Sequence, residues 1–214
     1  MNILILGATG DVGRAVTQEA TERGHHVTAC ARNPTRLEGI SPDIRFETLD
    51  VSNDREKLED LVQANAAIVS ALRPPDGEEN TLVSMTQAVL MASRNGNKPA
   101  YFTGGAAPLK IGDGSDHTVL TAPGFLPHSV RPIAEACVAQ DVLFSDFPDA
   151  NWICLRPAAM LLDAQKTGRY ALGRDTLVKQ SDGQSQISYA DFAVAMLDLI
   201  ELKPAPRQRL TVGW

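Results

Sequence analysis

An α/β fold, a doubly wound parallel sheet with helices on both faces, is predicted by two observations. Strand-length apolar runs alternate with helix-period segments through the first half of the chain, and a glycine-rich turn joins the first such pair. Residues 2–6 form a continuous apolar strand. After the glycine turn, Val12, Ala15, Val16 and Ala20 share one face of a helix that Gly24 is placed to cap. Strands are expected at 26–31 and 44–49. A short helix then starts near the capping candidate Asn53 and carries Leu58, Leu61 and Val62. A fourth strand at 66–72 leads to a longer helix with Leu82, Val83, Val89 and Leu90, and a fifth strand spans 99–103.

The second half is less regular. Residues 104–131 hold five glycines and three prolines with little periodicity, so few core contacts are expected there. A loop that long in a compact domain points to function or mobility. A helix at 132–145 and a strand at 152–156 resume the alternation, and 157–187 is irregular with short strand candidates. The helix at 189–201 sets Tyr189, Phe192, Ala193, Met196, Leu197 and Ile200 on one stripe, and Ser188 with Asp191 makes a variant capping box at its start. A final strand covers 209–212.

At 214 residues the chain suits a single domain, 1–214, with a core over 1–156 and a small irregular substrate region mainly at 105–131 and 157–187. The hydrophobic fraction of 43% and charged fraction of 21% are those of a globular protein. A net charge of −6 with scattered basic residues argues against binding nucleic acid or a membrane surface, both of which are anionic. No apolar run approaches the ~20 residues of a membrane span. The first apolar stretch, residues 3–6, is only strand length and lacks a basic leader, so a cytoplasmic protein is expected. Three dispersed cysteines make neither a disulfide framework nor a metal site, and Cys30 and Cys154, inside apolar runs, read as buried small hydrophobes. His25 and His26, adjacent at a strand start, point to opposite faces and are poorly placed to share a ligand.

The turn Gly7-Ala8-Thr9-Gly10-Asp11-Val12-Gly13 has the spacing and the strand–turn–helix context of a dinucleotide site. Gly7 permits the sharp turn, Gly10 lets backbone approach a pyrophosphate, and Gly13 lets the helix pack closely. The helix N-terminus offers unpaired N–H groups to the phosphates. Asp11 adds a negative charge nearby that Arg14 could offset. NAD-specific folds end the second strand with an acid that holds the ribose 2′-hydroxyl. Here that end reads Cys30-Ala31-Arg32-Asn33, so Arg32 is available for a 2′-phosphate, and NADP(H) is favoured over NAD(H). The alternative for Arg32 is a solvated surface arginine. Asp50 could reach the adenine edge or could cap the following helix.

These residues, with ARNPTRL (31–37), LDVSN (49–53), YFTGGAAPL (101–109), DANWICLRPAAML (149–161), KTGRYALGRDTLV (166–178), GQSQISYADFAVAMLDLIE (183–201) and RQRLTVGW (207–214), resemble the atypical short-chain dehydrogenase/reductases. The likeness is to the small NAD(P)H-binding group of NADH-flavin-reductase-like, biliverdin-reductase-B-like and NmrA-like proteins. That resemblance implies a Rossmann core with a small C-terminal substrate region. It implies that Gly7, Thr9, Gly10, Asp11 and Val12 cradle the pyrophosphate, that Arg32 meets the adenosine ribose or its phosphate, and that Asp50 with Val51 meets the adenine. Ala71 and Leu72 would line the dinucleotide. Thr103, Gly104 and Gly105 would stand beside the nicotinamide, with Pro157 and Ala158 flanking it.

The chain departs from the wider superfamily in its chemistry. Tyr101, Tyr170 and Tyr189 are followed four positions later by Gly105, Arg174 and Ala193, so none belongs to a Tyr-x-x-x-Lys pair. Reduction of a flavin, quinone or similar conjugated acceptor needs less: the cofactor carries the chemistry while the protein positions the partners. Thr103 could orient an acceptor or a nicotinamide group, and His128 or His117 in the long loop could supply a proton. The expected partner is a small electron acceptor, and the expected assembly a monomer or homodimer. The alternatives are a cofactor-binding sensor without turnover and, less favoured, an epimerase or dehydratase.

Overall fold

The computed structural model describes residues 1–33 and 44–214. The part of the ARNPTRL block from position 34 onward lies outside them. The described elements are β1 (Asn2–Leu6), α1 (Asp11–Glu22), β2 (His26–Ala31), β3 (Arg45–Thr48), α2 (Arg55–Ala64), β4 (Ala67–Ser70), α3 (Thr81–Gly96), β5 (Ala100–Thr103), α4 (Arg131–Leu143), β6 (Trp152–Pro157), β7 (Met160–Leu162), β8 (Ala171–Gly173), β9 (Gln186–Ser188), α5 (Tyr189–Leu202) and β10 (Gln208–Gly213). Eight strands form one sheet in the order β3-β2-β1-β4-β5-β6-β10-β8. Every pairing is parallel except β10 with the edge strand β8, and β7 pairs with β9 in a separate small sheet. Strand order reverses between β1 and β4, which opens a crevice at their carboxyl ends.

Both faces of the central strands are covered, which is why these strands are apolar at consecutive positions, while the edge strands β3 and β8 have no buried residue. Ile3 and Ile5 point to the side of α1 and α5, among Val16, Ala20, Phe192 and Met196. Leu4 and Leu6 point the other way, among Leu58 and Val62 of α2, Val89 and Leu90 of α3, and the aromatic cluster of Phe102, Phe144 and Trp152. Gly24 ends α1 with φ +75°: its N–H donates to the Thr21 carbonyl and that of His25 to the Ala20 carbonyl.

Four local expectations change. Asn53 does not cap α2: its amide donates to Asp50, and Asp54 occupies the capping position. Ser188 Oγ accepts from the Asp191 N–H as expected, but the Asp191 carboxylate turns away from the cap. It accepts from the Thr167 amide and hydroxyl, the Gly168 amide and Trp214 Nε1. Helix α5 is buried nearly all round rather than along one stripe, because α1, the sheet and residues 167–168 enclose it. The 104–131 segment is not held loosely along its whole length. Leu109 is 0% exposed and packs with Val119 and Leu177 as a third apolar cluster, and backbone bonds tie Lys110 to residues 175–177. A short sequence motif does not show these partners because they lie far along the chain. Among the described residues no helix is long and apolar enough to cross a membrane.

Candidate functional site

The glycine turn sits at the point where strand order reverses. Gly7 has φ +78°, and its N–H and that of Ala8 donate to the Cys30 carbonyl at the end of β2. A Cβ at Gly7 would stand 2.5 Å from the Ala71 carbonyl oxygen, so the turn is pressed onto the chain leaving β4. Gly10, at the N-cap of α1, faces open space: the nearest atom to a Cβ there is the Gly7 oxygen at 3.6 Å. Gly13 packs on the turn itself, where a Cβ would meet the Gly7 oxygen at 2.1 Å. The three glycines thus divide into two that let backbone pack on backbone and one that leaves room for a ligand.

From this turn a cleft of about 600 Å³ runs across the ends of β1, β2 and β4. It brings together the expected Gly7, Thr9, Gly10, Arg32, Asp50, Val51, Ala71 and Leu72. Arg32 is exposed at its rim and makes no ion pair among the described residues. The Asp50 carboxylate is already engaged, accepting from the Ser52 N–H and the Asn53 amide, so it shapes the turn that borders the cleft. The Asp11 carboxylate lies near the Tyr189 phenol. Burial and this neighbouring charge push the Tyr189 phenol above its ordinary range. Arg14 Nε donates to the Thr9 carbonyl at 3.1 Å, which braces the turn.

A second cavity, about 710 Å³, lies against the ends of β5 and β6. Ala107, Val119, Phe125, Leu126, Ile133, Cys137 and Met160 line it. Thr103 ends β5, and its Oγ1 is buried without a hydrogen-bond partner. Gly104 and Gly105 follow. A Cβ on Gly104 would meet Cys154 Sγ at 2.7 Å, and one on Gly105 would meet Cys137 Sγ at 2.5 Å, so close packing accounts for both. Pro157 and Ala158 are buried at the end of β6, and the following Ala159 and Met160 reach the cavity. His128 is exposed and lines neither space, although its neighbours Pro127 and Val130 line the apolar cavity. His117 is exposed as well.

Arg73 carries a charge near both spaces. It lines the dinucleotide cleft and acts electrostatically on both Cys137 and Tyr189. Arg73 stands three residues beyond the end of β4, on the side of the sheet where ligands of such folds bind, and no motif in the sequence marks it. Burial pushes the Cys30 thiol up to about 12 and the Cys137 thiol up to about 11, so both are neutral thiols at physiological pH and neither is a ready nucleophile. Among the described residues no group of three or more His, Cys, Asp or Glu is placed to hold a metal ion.

A parallel sheet of this order, with a glycine cradle where the order reverses, defines a dinucleotide-binding Rossmann protein. The chain belongs to the NAD(P)H-binding family, whose model matches residues 7–202. It is 31% identical over 216 residues to YwnB of Bacillus subtilis (strain 168), covering 99% of this chain and 98% of that protein. Among solved structures it is similar to a candidate NADH-flavin reductase from Streptococcus pneumoniae, with a TM-score of 0.88, 26% identity, and 100% of this chain and 99% of that one covered. It is also similar to a candidate exported protein from Burkholderia pseudomallei, with a TM-score of 0.87, 27% identity, and 100% of both chains covered.

Proposed function

We propose that the protein is an NADPH-dependent reductase of a small conjugated acceptor. The observation that carries this reading is the open, apolar-walled cavity beside the dinucleotide cleft, at the strand ends where the nicotinamide of such folds lies. The name of the Streptococcus pneumoniae relative points the same way.

The residues present fit a dinucleotide. The open space over Gly10 and the amides opening α1 accommodate a pyrophosphate, and Arg32 at the rim suits a 2′-phosphate. In this reading the hydride for the acceptor would come from NADPH held in the cleft, with the accompanying proton from solvent. The chain's own task is positioning. Thr103 Oγ1, buried and unpartnered, is available to orient a carboxamide or an acceptor oxygen. Val119, Leu126 and Ile133 wall the acceptor space and displace water from it. Without a Tyr-x-x-x-Lys pair, no side-chain acid–base couple is required for this reaction class.

The test is anaerobic NADPH oxidation with a panel of flavins and quinones. Turnover with at least one acceptor is expected. Tight NADPH binding with no turnover across the panel overturns the reductase reading in favour of a sensor.

A further inference from the structure

We propose that the apolar cavity selects acceptors that carry an anionic group on a flat apolar body, and that Lys179 is the residue that reads the anion. This rests on the reductase reading and deepens it by naming the substrate class.

The lining of the cavity is asymmetric in chemistry. Most of it is hydrocarbon, and Phe125 and Met160 are exposed large apolar side chains of the kind that cover a flat body. The polar contributions come from one short stretch: Lys179, Gln184, Ser185 and Gln186. Two of these are already engaged, since Ser185 Oγ accepts the Ala159 N–H and Gln186 Nε2 donates to Gln180 Oε1. Lys179 is different. Among the described residues it makes no ion pair or hydrogen bond, whereas Lys110 pairs with Asp116 and Lys166 with Glu19 and Glu22. No aspartate or glutamate lines the cavity. Lys179 is also well placed by the backbone. The next residue, Gln180, donates its N–H to the Gln184 carbonyl, and Gly183 donates back to the Gln180 carbonyl, so residues 180–184 form a closed turn beside it.

The protein carries a net charge of −6, so anions are repelled from most of its surface. Lys179 is exposed at the edge of the cavity lining and is its one basic side chain, so it offers an anion a local attraction that salt screens. The apolar wall supplies area for the conjugated body, and Lys179 supplies the charge that a neutral analogue leaves unpaired. A phosphate ester and a carboxylate both satisfy this chemistry.

The test measures binding with the dinucleotide cleft saturated by NADP+, so that no ligand competes for it. Two matched pairs are titrated: flavin mononucleotide against riboflavin, and anthraquinone-2-carboxylate against its methyl ester. The anionic member of at least one pair binds roughly five- to tenfold tighter at low salt, and the preference shrinks as salt rises. Preference in the flavin pair alone assigns a phosphate ester, and in the anthraquinone pair alone a carboxylate. Lys179→Gln brings the ratio near one, and Lys179→Glu inverts it, with NADPH affinity and melting temperature unchanged. Equal affinities in both pairs, a preference that survives in Lys179→Gln, or no binding by any of the four overturns the proposal. NADPH oxidation by riboflavin as fast as by flavin mononucleotide overturns the selectivity and leaves the reductase reading standing. Anion-selective binding without NADPH oxidation does the reverse.

Discussion

A Cβ built on Gly13 would stand 2.1 Å from the carbonyl oxygen of Gly7, while one on Gly10, three residues earlier, finds its nearest neighbour at 3.6 Å. Two glycines of one motif therefore do different work. Gly13→Ala forces the first turn of α1 off the preceding backbone and is expected to cost about 3 kcal/mol or more, a drop of roughly 6 °C or more in melting temperature for a chain of this size. Gly10→Val keeps the fold, since the backbone there is at φ −78° and the side chain meets only the cleft. It is expected to abolish dinucleotide binding. Thermal unfolding and cofactor titration of the two variants separate the roles, and unchanged affinity in a folded Gly10→Val protein removes the phosphate assignment.

The proposed preference for NADPH rests on Arg32, exposed at the rim of the dinucleotide cleft. Arg32→Ala is expected to weaken NADPH binding by about 1.5–3 kcal/mol, the scale of a hydrogen bond to a charged group, and to leave NADH binding nearly unchanged. Calorimetric titration with both cofactors checks this. Equal affinities for NADPH and NADH in the unaltered protein would sink the preference.

Asp191 is 0% exposed, yet its carboxyl is held below the ordinary range. Burial opposes ionisation, but the Thr167 hydroxyl, the Gly168 amide, the Trp214 indole and the Thr167 amide together outweigh it. A depressed folded-state value means that the stabilisation is fully present above the unfolded carboxyl's ordinary value of about 3.9 and is lost as pH falls through the lower folded value. Asp191→Ala leaves buried donors unpaired and is expected to cost about 3 kcal/mol at pH 7. Denaturant unfolding across a pH series tests the sign. The gap between Asp191→Asn and the unaltered protein should be constant from pH 7 to pH 5 and close below pH 4, and a gap that widens on acidification would contradict the assignment.

Thr103 and His128 are both candidates for chemistry and neither is in the lining of the cleft or the cavity; Thr103 Oγ1 is buried and unpartnered, whereas His128 is exposed. Thr103→Val removes a buried hydroxyl that has no partner, so the fold is expected to lose nothing and to gain as much as about 1 kcal/mol. Its kcat is expected to fall about tenfold, a change of about 1.4 kcal/mol in the barrier, with NADPH affinity unaltered. His128→Ala, exposed and outside both linings, is expected to leave turnover within about twofold. Single-turnover kinetics decide between them. Hydrogen exchange adds a readout for the segment above the cavity. Residues 123–131, mostly exposed, are expected to gain protection when NADPH binds, whereas 106–122 are expected to be protected already because Leu109 and Val119 are buried. No change at 123–131 would remove that stretch as a cover.

What the sequence determined by itself is the frame and the cradle. The apolar runs located β1, β2, β4, β5 and β6, because strands covered on both faces need consecutive apolar residues, whereas the edge strand β3, Arg-Phe-Glu-Thr, has no buried residue. The glycine spacing located the turn, because only residues without a Cβ fit backbone approaching backbone as closely as Gly7 does to Ala71. These are local constraints, written in neighbouring residues. The tertiary structure decided everything that depends on residues far apart. The Asp191 carboxylate turned from a capping box to Thr167, Gly168 and Trp214, more than twenty positions away in either direction. The apolar cavity is assembled from residues 106–137, 159–160 and 177–186, three stretches that meet only when β5 and β6 lie side by side. Arg73 and Lys179 acquired their places in the same way. A charge beside a cavity has no period and no motif, and its meaning depends on which distant side chains fold around it.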